Sequence, residues 1–85
     1  MSKEEFEIGE KEKHFLTVEW DMITKRIKIE QDGVIVANEL RPFPPFAKKF
    51  QFDVGSSEPH HVEITAGPFH PIELMADGDK IRPLL

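Results

Sequence analysis

The sequence has no cysteine, no long apolar run and no excess of basic residues. Without cysteine there is no disulfide, no thiol nucleophile and no cysteine zinc site, so the core must hold the fold alone. No stretch approaches the roughly 18 apolar residues of a membrane-spanning helix, so we expect no membrane partner. The first ten residues are acidic and contain no apolar signal region, which predicts a cytoplasmic protein.

The charge balance argues against nucleic acid as a partner. The chain has 11 basic and 16 acidic residues, a net charge of -5, and its densest basic stretches are the pairs at residues 25–26 and 48–49. A protein that grips phosphates needs an extended basic face, which these pairs do not supply. The length of 85 residues predicts one domain over residues 1–85.

What the sequence does contain is a duplication. GEKEKHFLTVEW, residues 9–20, is matched at an offset of 46 residues by GSSEPHHVEITA, residues 55–66. Both copies keep a glycine, a glutamate and a histidine. Farther on, the offset becomes 45, and both copies reach an Asp-Gly pair at residues 32–33 and 77–78. An internal repeat of this kind predicts two similar structural units and so constrains the prediction of the whole fold.

Within each copy, apolar and polar residues alternate with the period of a β-strand. Asp-Gly between two such strands indicates a tight type I′ hairpin. Each copy therefore predicts a meander of four short strands with one apolar face. The apolar residues of the second strand in each copy are Leu16, Val18 and Trp20, and Val62, Ile64 and Ala66.

A single meander cannot cover its own apolar face, so two copies must pack face to face. We predict an all-β fold, a small antiparallel β-sandwich of seven to eight strands, with a closed barrel as the alternative. The repeats span residues 4–38 and 49–82 approximately, joined by a Pro-rich connector at 40–48. We expect the connector to be extended, with Phe43 and Phe46 packed on a sheet edge.

Two segments resemble the repeated strand unit of the Fas apoptotic inhibitory molecule family. They are FDVG…VEITAGPFHPIELMADGDKI, residues 52–81, and HFLTVEWDMITKRIKIEQDGVIV, residues 14–36. The shared features are an F-x-[IV]-G strand, an alternating second strand and a third strand entering a [VI]-[DN]-[GN] hairpin. The resemblance implies a compact β-sandwich that has no enzymatic activity and works through protein contacts.

The duplicated glutamates and histidines are the clearest candidates for a site. Pseudo-symmetry could bring His14, His60, Glu12 and Glu58 together, and two imidazoles with two carboxylates could hold zinc. The same set could instead titrate near the ordinary histidine pKa as a pH switch. In the structural alternative, each histidine caps a sheet edge and hydrogen-bonds a neighbouring loop. Gly9 and Gly55 are expected to adopt positive φ at a turn or bulge.

Exposed apolar residues are the candidates for a contact surface. Phe15, Ile35 and Met75 are expected to point outward and to form one patch for a partner or a second copy of the chain. Trp20, replaced by Ala66 in the second copy, is expected to fill the core and not to anchor a partner.

These observations predict a non-catalytic protein-interaction or assembly module that needs no cofactor. Its partner would be another protein, or a second copy of the chain, bound through an exposed edge strand. The alternative is a metal- or small-ligand-binding domain that uses the duplicated Glu/His pairs. No nucleophile elbow or phosphate loop is present, so no enzyme is expected.

Overall fold

The computed structural model of the chain describes residues 2–21, 23–40, 48–67 and 70–84. Within these ranges the chain forms eight β-strands and no helix. No helix long and apolar enough to cross a membrane is found in the described part of the chain. The strands are β1 (Ser2–Ile8), β2 (His14–Asp21), β3 (Arg26–Gln31), β4 (Val34–Leu40), β5 (Lys48–Val54), β6 (His60–Gly67), β7 (His70–Ala76) and β8 (Asp79–Ile81).

The strands form two antiparallel sheets of four, one from each repeat. Their orders are β1-β2-β3-β4 and β5-β6-β7-β8, so every strand pairs with its neighbour in sequence. The sheets pack face to face, with β1 against β7 and β2 against β6. This confirms the predicted all-β sandwich of two meanders, and the two sheets are not joined into a closed barrel within the described ranges.

Both predicted Asp-Gly hairpins are type I′ turns. The φ angles of Asp32 and Gly33 are 51° and 84°, and those of Asp77 and Gly78 are 52° and 86°. Positive φ at both central residues is the condition for this turn, whose twist matches that of the flanking strands. The turns fix the register of β3 with β4 and of β7 with β8.

The core lies between the two sheets and draws side chains from both. Trp20 is only 3% exposed and Ala66 is fully buried, so the tryptophan fills the core as expected. Because Trp20 is large and the equivalent residue Ala66 is small, the two repeats contribute unequal side-chain volumes to the core. The buried hydrophobic residues are Phe6, Ile8, Leu16, Val18, Trp20, Ile27, Ile29, Phe50, Val54, Val62, Ile64, Ala66, Leu74 and Ala76.

The four strands at the sheet edges are not alike. The backbone N–H of Leu84 donates to the C=O of Glu5 at 2.7 Å, which covers part of the β1 edge. The strand β8 has three residues, whereas β4 has seven. All β4 residues except Ala37 are exposed. The prediction for the connector, with Phe43 and Phe46, concerns a segment that lies outside the described residues.

Candidate functional site

The two loops that follow β1 and β5 meet at one end of the sandwich. Gly9 and Gly55 begin these loops with φ angles of 101° and 99°. A Cβ atom on Gly9 would lie 2.0 Å from the backbone oxygen of Glu12, and one on Gly55 would lie 2.3 Å from that of Glu58. Only glycine allows so tight a turn. The structural role expected for both glycines is thus confirmed.

Glu12 reaches from its own loop into the loop of the second repeat. Its carboxylate accepts hydrogen bonds from the backbone N–H groups of Ser56, Ser57 and Glu58, at 3.0, 2.6 and 3.0 Å. Successive N–H groups that converge on one point form an anion-binding nest. Here the anion is a glutamate of the chain itself.

Glu58 makes the reciprocal contact with the loop of the first repeat. Its carboxylate accepts hydrogen bonds from the N–H groups of Glu10 and Lys11, both at 2.8 Å, and of Glu12 at 3.4 Å. The two repeats therefore exchange glutamates. Since each glutamate belongs to the loop of one repeat and its nest to the loop of the other, this exchange ties the two repeats together at this end.

His14 links Glu12 to the hairpin of the first repeat. Its Nε2 lies 2.5 Å from a Glu12 oxygen and its Nδ1 lies 2.6 Å from Oδ2 of Asp32. The other oxygen of Asp32 accepts the N–H of Phe15 at 2.9 Å, and the N–H of Asp32 donates to the Phe15 C=O at 2.8 Å. The hairpin turn is thereby fixed to the start of β2.

The second repeat has the same arrangement. His60 lies 2.6 Å from Glu58 through Nε2 and 2.6 Å from Asp77 through Nδ1. The N–H of His61 donates to Asp77 at 2.9 Å, and the N–H of Asp77 donates to the His61 C=O at 2.8 Å. We call the six side chains the Glu–His–Asp network: Glu12, His14 and Asp32 with Glu58, His60 and Asp77.

The hydrogen bonds of the network stabilise charged carboxylates. The bond from His14, followed by those from three backbone amides, lowers the pKa of Glu12 to about 2. The bond from His60, followed by the amides of the first loop, lowers the pKa of Glu58 to about 2. The pKa of Asp32 is lowered in the same way, mainly by His14.

The same contacts favour the protonated form of both histidines. The pKa of His14 is raised above 6.5, first by Asp32 and then by Glu12. The pKa of His60 is raised by Glu58 and Asp77. Both side chains are about one-fifth exposed, at 19% and 21%. Each repeat thus holds a histidine between two carboxylates.

This geometry explains the duplicated histidines without a metal ion. Each ring nitrogen that a metal would need already lies within hydrogen-bond distance of a carboxylate of the network. Among the described residues, no group of three or more His, Asp or Glu side chains is arranged to hold a metal ion. The predicted zinc site at His14, His60, Glu12 and Glu58 receives no support from the structure.

Sequence reasoning missed Asp32 and Asp77 as partners of the histidines. It treated both aspartates as turn residues only, although they recur with the histidines in both copies. The signal was the pairing of two duplicated features, His14 with Asp32 and His60 with Asp77. The hairpin brings these pairs together because residue 32 lies beside residue 15 in the antiparallel register.

The predicted interaction residues do not form one patch. Phe15 and Ile35 are 50% and 53% exposed and lie on the outer face of the first sheet. Met75 is half-buried on the outer face of the second sheet, beside Glu63 and Lys80. The outer faces of a sandwich point in opposite directions, so the prediction of a single surface is wrong for Met75.

The exposed apolar residues that the structure does bring together lie on β4. Val34, Ile35, Val36 and Leu40 are 65, 53, 46 and 59% exposed. A β-bulge between Ile35 and Ala37 leaves Val36 without a partner on β3, which directs apolar side chains to both faces of the strand. We call this surface, residues 34–40, the β4 edge. Sequence reasoning identified only Ile35 of it.

Comparison of the chain with protein-family models, with curated proteins and with solved structures finds no match. The resemblance to the Fas apoptotic inhibitory molecule family therefore stays a prediction. The two candidate features of the molecule remain those built above from its own residues, namely the Glu–His–Asp network and the β4 edge.

Proposed function

We propose that the protein is a non-catalytic interaction or assembly module that binds another protein chain through the β4 edge. The observation that carries this proposal is the exposure of four large apolar side chains on one seven-residue edge strand. An edge strand presents unpaired N–H and C=O groups, and an extended segment of a partner can add to it as a further strand.

Comparison with the other edge strands supports the choice of β4. The exposed residues of β5 are Lys49, Gln51 and Asp53, which are polar or charged. Charged side chains are a common protection of sheet edges against association. The strand β8 is short, and part of the β1 edge is occupied by Leu84. Within the described residues, the β4 edge has one charged side chain, Glu39, which is paired with Lys48, and its other six residues are uncharged.

The Glu–His–Asp network supports the proposal indirectly. Its side chains bond to one another and to backbone groups, so its role is to fix the loops and hairpins at one end of the sandwich. A rigid scaffold of this kind presents an edge strand in a defined geometry. The resemblance to a family that works through protein contacts agrees with this proposal.

The test is site-specific photocrosslinking in the native host cell. A photoreactive amino acid in place of Ile35 should cross-link a protein partner, and the same amino acid in place of Lys80 on β8 is the matched control. Adding Val36→Lys to the Ile35 variant should abolish the cross-link, because a charge on the β4 edge opposes strand addition. Equal capture from both positions, or capture that Val36→Lys leaves unchanged, would overturn the proposal.

A further inference from the structure

The turn before β4 determines which of its backbone groups point away from β3. A two-residue type I′ turn closes on a hydrogen-bonded pair, here Gln31 and Val34. Hydrogen-bonded and non-hydrogen-bonded pairs alternate along antiparallel strands. The bulge adds a residue opposite Ile29 and leaves the alternation on β3 intact. The β4 residues whose N–H and C=O groups point to the free edge are therefore Ile35, Asn38 and Leu40.

The same three residues share the outer face of the first sheet. Ile35 pairs with Glu30, Asn38 with Lys28 and Leu40 with Arg26, and these β3 residues alternate with the buried Ile27 and Ile29. Directly paired residues of a sheet have side chains on the same face. The β4 edge thus combines outward backbone groups and outward side chains at identical positions.

This pattern is self-complementary about Asn38. When two β4 strands run antiparallel with Asn38 opposite Asn38 of the second copy, Ile35 lies opposite Leu40 of that copy, and the reverse contact follows by symmetry. The two residues of each bulge, Val36 and Ala37, then lie opposite Glu39 of the other strand. Paired side chains therefore point to the same face of the joined sheet along the whole overlap. The three residues with outward backbone groups pair only with one another.

The charges beside β4 neither direct nor prevent this arrangement. Arg26 lies next to Leu40, whereas Glu30 lies next to Ile35 and is paired with Lys28. Across the dimer, Arg26 of one copy and Glu30 of the other stand three strand spacings apart, about 14 Å, where solvent and salt largely screen their attraction. The one charged residue within β4, Glu39, is already paired with Lys48. Among the described residues, no carboxylate lies within ion-pair distance of Arg26.

We propose that two copies of the chain associate through antiparallel pairing of their β4 edges about a two-fold axis at Asn38, which joins their first sheets into one continuous sheet. The proposal rests on the proposed function, since it names a second copy as the occupant of the β4 edge. A two-fold axis requires a patch that complements itself, and the pairing of the exposed apolar Ile35 with Leu40 of the other copy on both sides of Asn38 meets this requirement.

The first measurement is sedimentation velocity over a wide range of protein concentration. Wild-type protein should form dimers, and Ile35→Lys should abolish them because it places a charge in the apolar pair. Leu40→Lys should abolish them as well, because it places a charge on the other side of the same apolar pair. Lys80→Glu, the control on β8, should have no effect.

The second measurement locates the axis. The chain has no cysteine, so Asn38→Cys introduces a unique thiol that would lie opposite its own copy, with Cα atoms about 5.5 Å apart in a hydrogen-bonded pair. A short bismaleimide should cross-link this variant into dimers and should leave Lys80→Cys monomeric. Circular dichroism confirms that each variant is folded.

Three results would overturn the proposal: a wild type that remains monomeric, an Ile35→Lys or Leu40→Lys variant that still dimerises, or equal cross-linking at positions 38 and 80. If the wild type is monomeric while the photoreactive group at Ile35 captures another protein, a second copy is not what binds the β4 edge, and the proposed function stands. If neither a second copy nor another protein is captured at Ile35, both are wrong.

Discussion

The two repeats agree at one end of the molecule and differ at one edge. The Glu–His–Asp network is reproduced in both, with histidine–carboxylate distances of 2.5 and 2.6 Å in the first repeat and 2.6 Å for both in the second. The fourth strands, in contrast, have seven residues in the first repeat and three in the second. Four exposed hydrophobic residues lie on β4, whereas two of the three residues of β8 are charged.

This contrast separates two kinds of requirement. Each repeat supplies the glutamate that fills the nest of the other, so the sandwich needs both copies of the network. No such reciprocity involves the fourth strands, and there the repeats have become different. The residues of the network are required in both repeats because each repeat binds the glutamate of the other. The exposed β4 edge, in contrast, is present in the first repeat only.

The largest expected effect comes from the core position at which the repeats differ most. Trp20→Ala should lower the free energy of unfolding by about 3–5 kcal/mol, because it removes a large buried side chain and leaves a cavity that Ala66 is too small to fill. Urea denaturation measures the change. Trp20→Phe, which retains most of the ring volume, should cost clearly less. An unchanged unfolding midpoint in the alanine variant would contradict the core role.

A smaller effect, equal in the two repeats, is expected at the loop glycines. Gly9→Ala and Gly55→Ala should each lower the free energy of unfolding by about 3 kcal/mol, since both combine positive φ with a clash against a backbone oxygen. The controls are Gly33→Ala and Gly78→Ala, where an added Cβ meets no atom within 4 Å. The controls should cost only about 1–2 kcal/mol for the positive φ.

The period of the apolar residues and the two Asp-Gly turns were sufficient to predict the sandwich. Both are local signals: alternation marks one buried face, and Asp-Gly permits the type I′ turn at residues 32–33 and 77–78. The duplication then indicated which two faces cover each other. Sequence could not decide between an open sandwich and a barrel, because sheet closure depends on pairing between distant strands.

The candidate site was predicted only in part, for a similar reason. His14 and Glu12 were identified by their recurrence, but Asp32 joins them through hairpin register, which sequence spacing does not display. Met75 was placed with Phe15 and Ile35 by strand parity alone. Parity gives the outward face of each strand, but Met75 belongs to the second repeat and therefore to the other sheet, whose outer face points away from that of the first.

The stability of the protein should vary with pH according to the network. Histidines with a pKa raised above 6.5 contribute stability that is complete below pH 6.5 and is lost as the pH rises through the folded-state value. Glutamates with a pKa lowered from 4.5 to about 2 contribute stability that is present above pH 4.5 and is lost as the pH falls toward 2. The maximum is expected between pH 4.5 and 6.5.

Urea midpoints measured across this range test the prediction and the equality of the repeats. His14→Gln and His60→Gln should each remove part of the decline above pH 6.5, by equal amounts, and the double variant should remove most of it. Stability that rises above pH 6.5 in the wild type would show that the histidines are not held protonated. Unequal single variants would indicate that one copy of the network has an additional role.

The smallest effect is expected on the β4 edge. Val34→Thr should change the free energy of unfolding by less than about 0.5 kcal/mol, because the side chain is 65% exposed and threonine has a similar preference for strands. Val62→Thr, at a fully buried position of β6, is the matched control and should be strongly destabilising, because it places a hydroxyl in the core. Both are measured at low protein concentration, where association does not contribute. If Val34→Thr costs as much as the buried control, the apolar residues of β4 serve the fold of the single chain. If it costs nothing, their exposure agrees with the proposed role of the β4 edge in binding another chain.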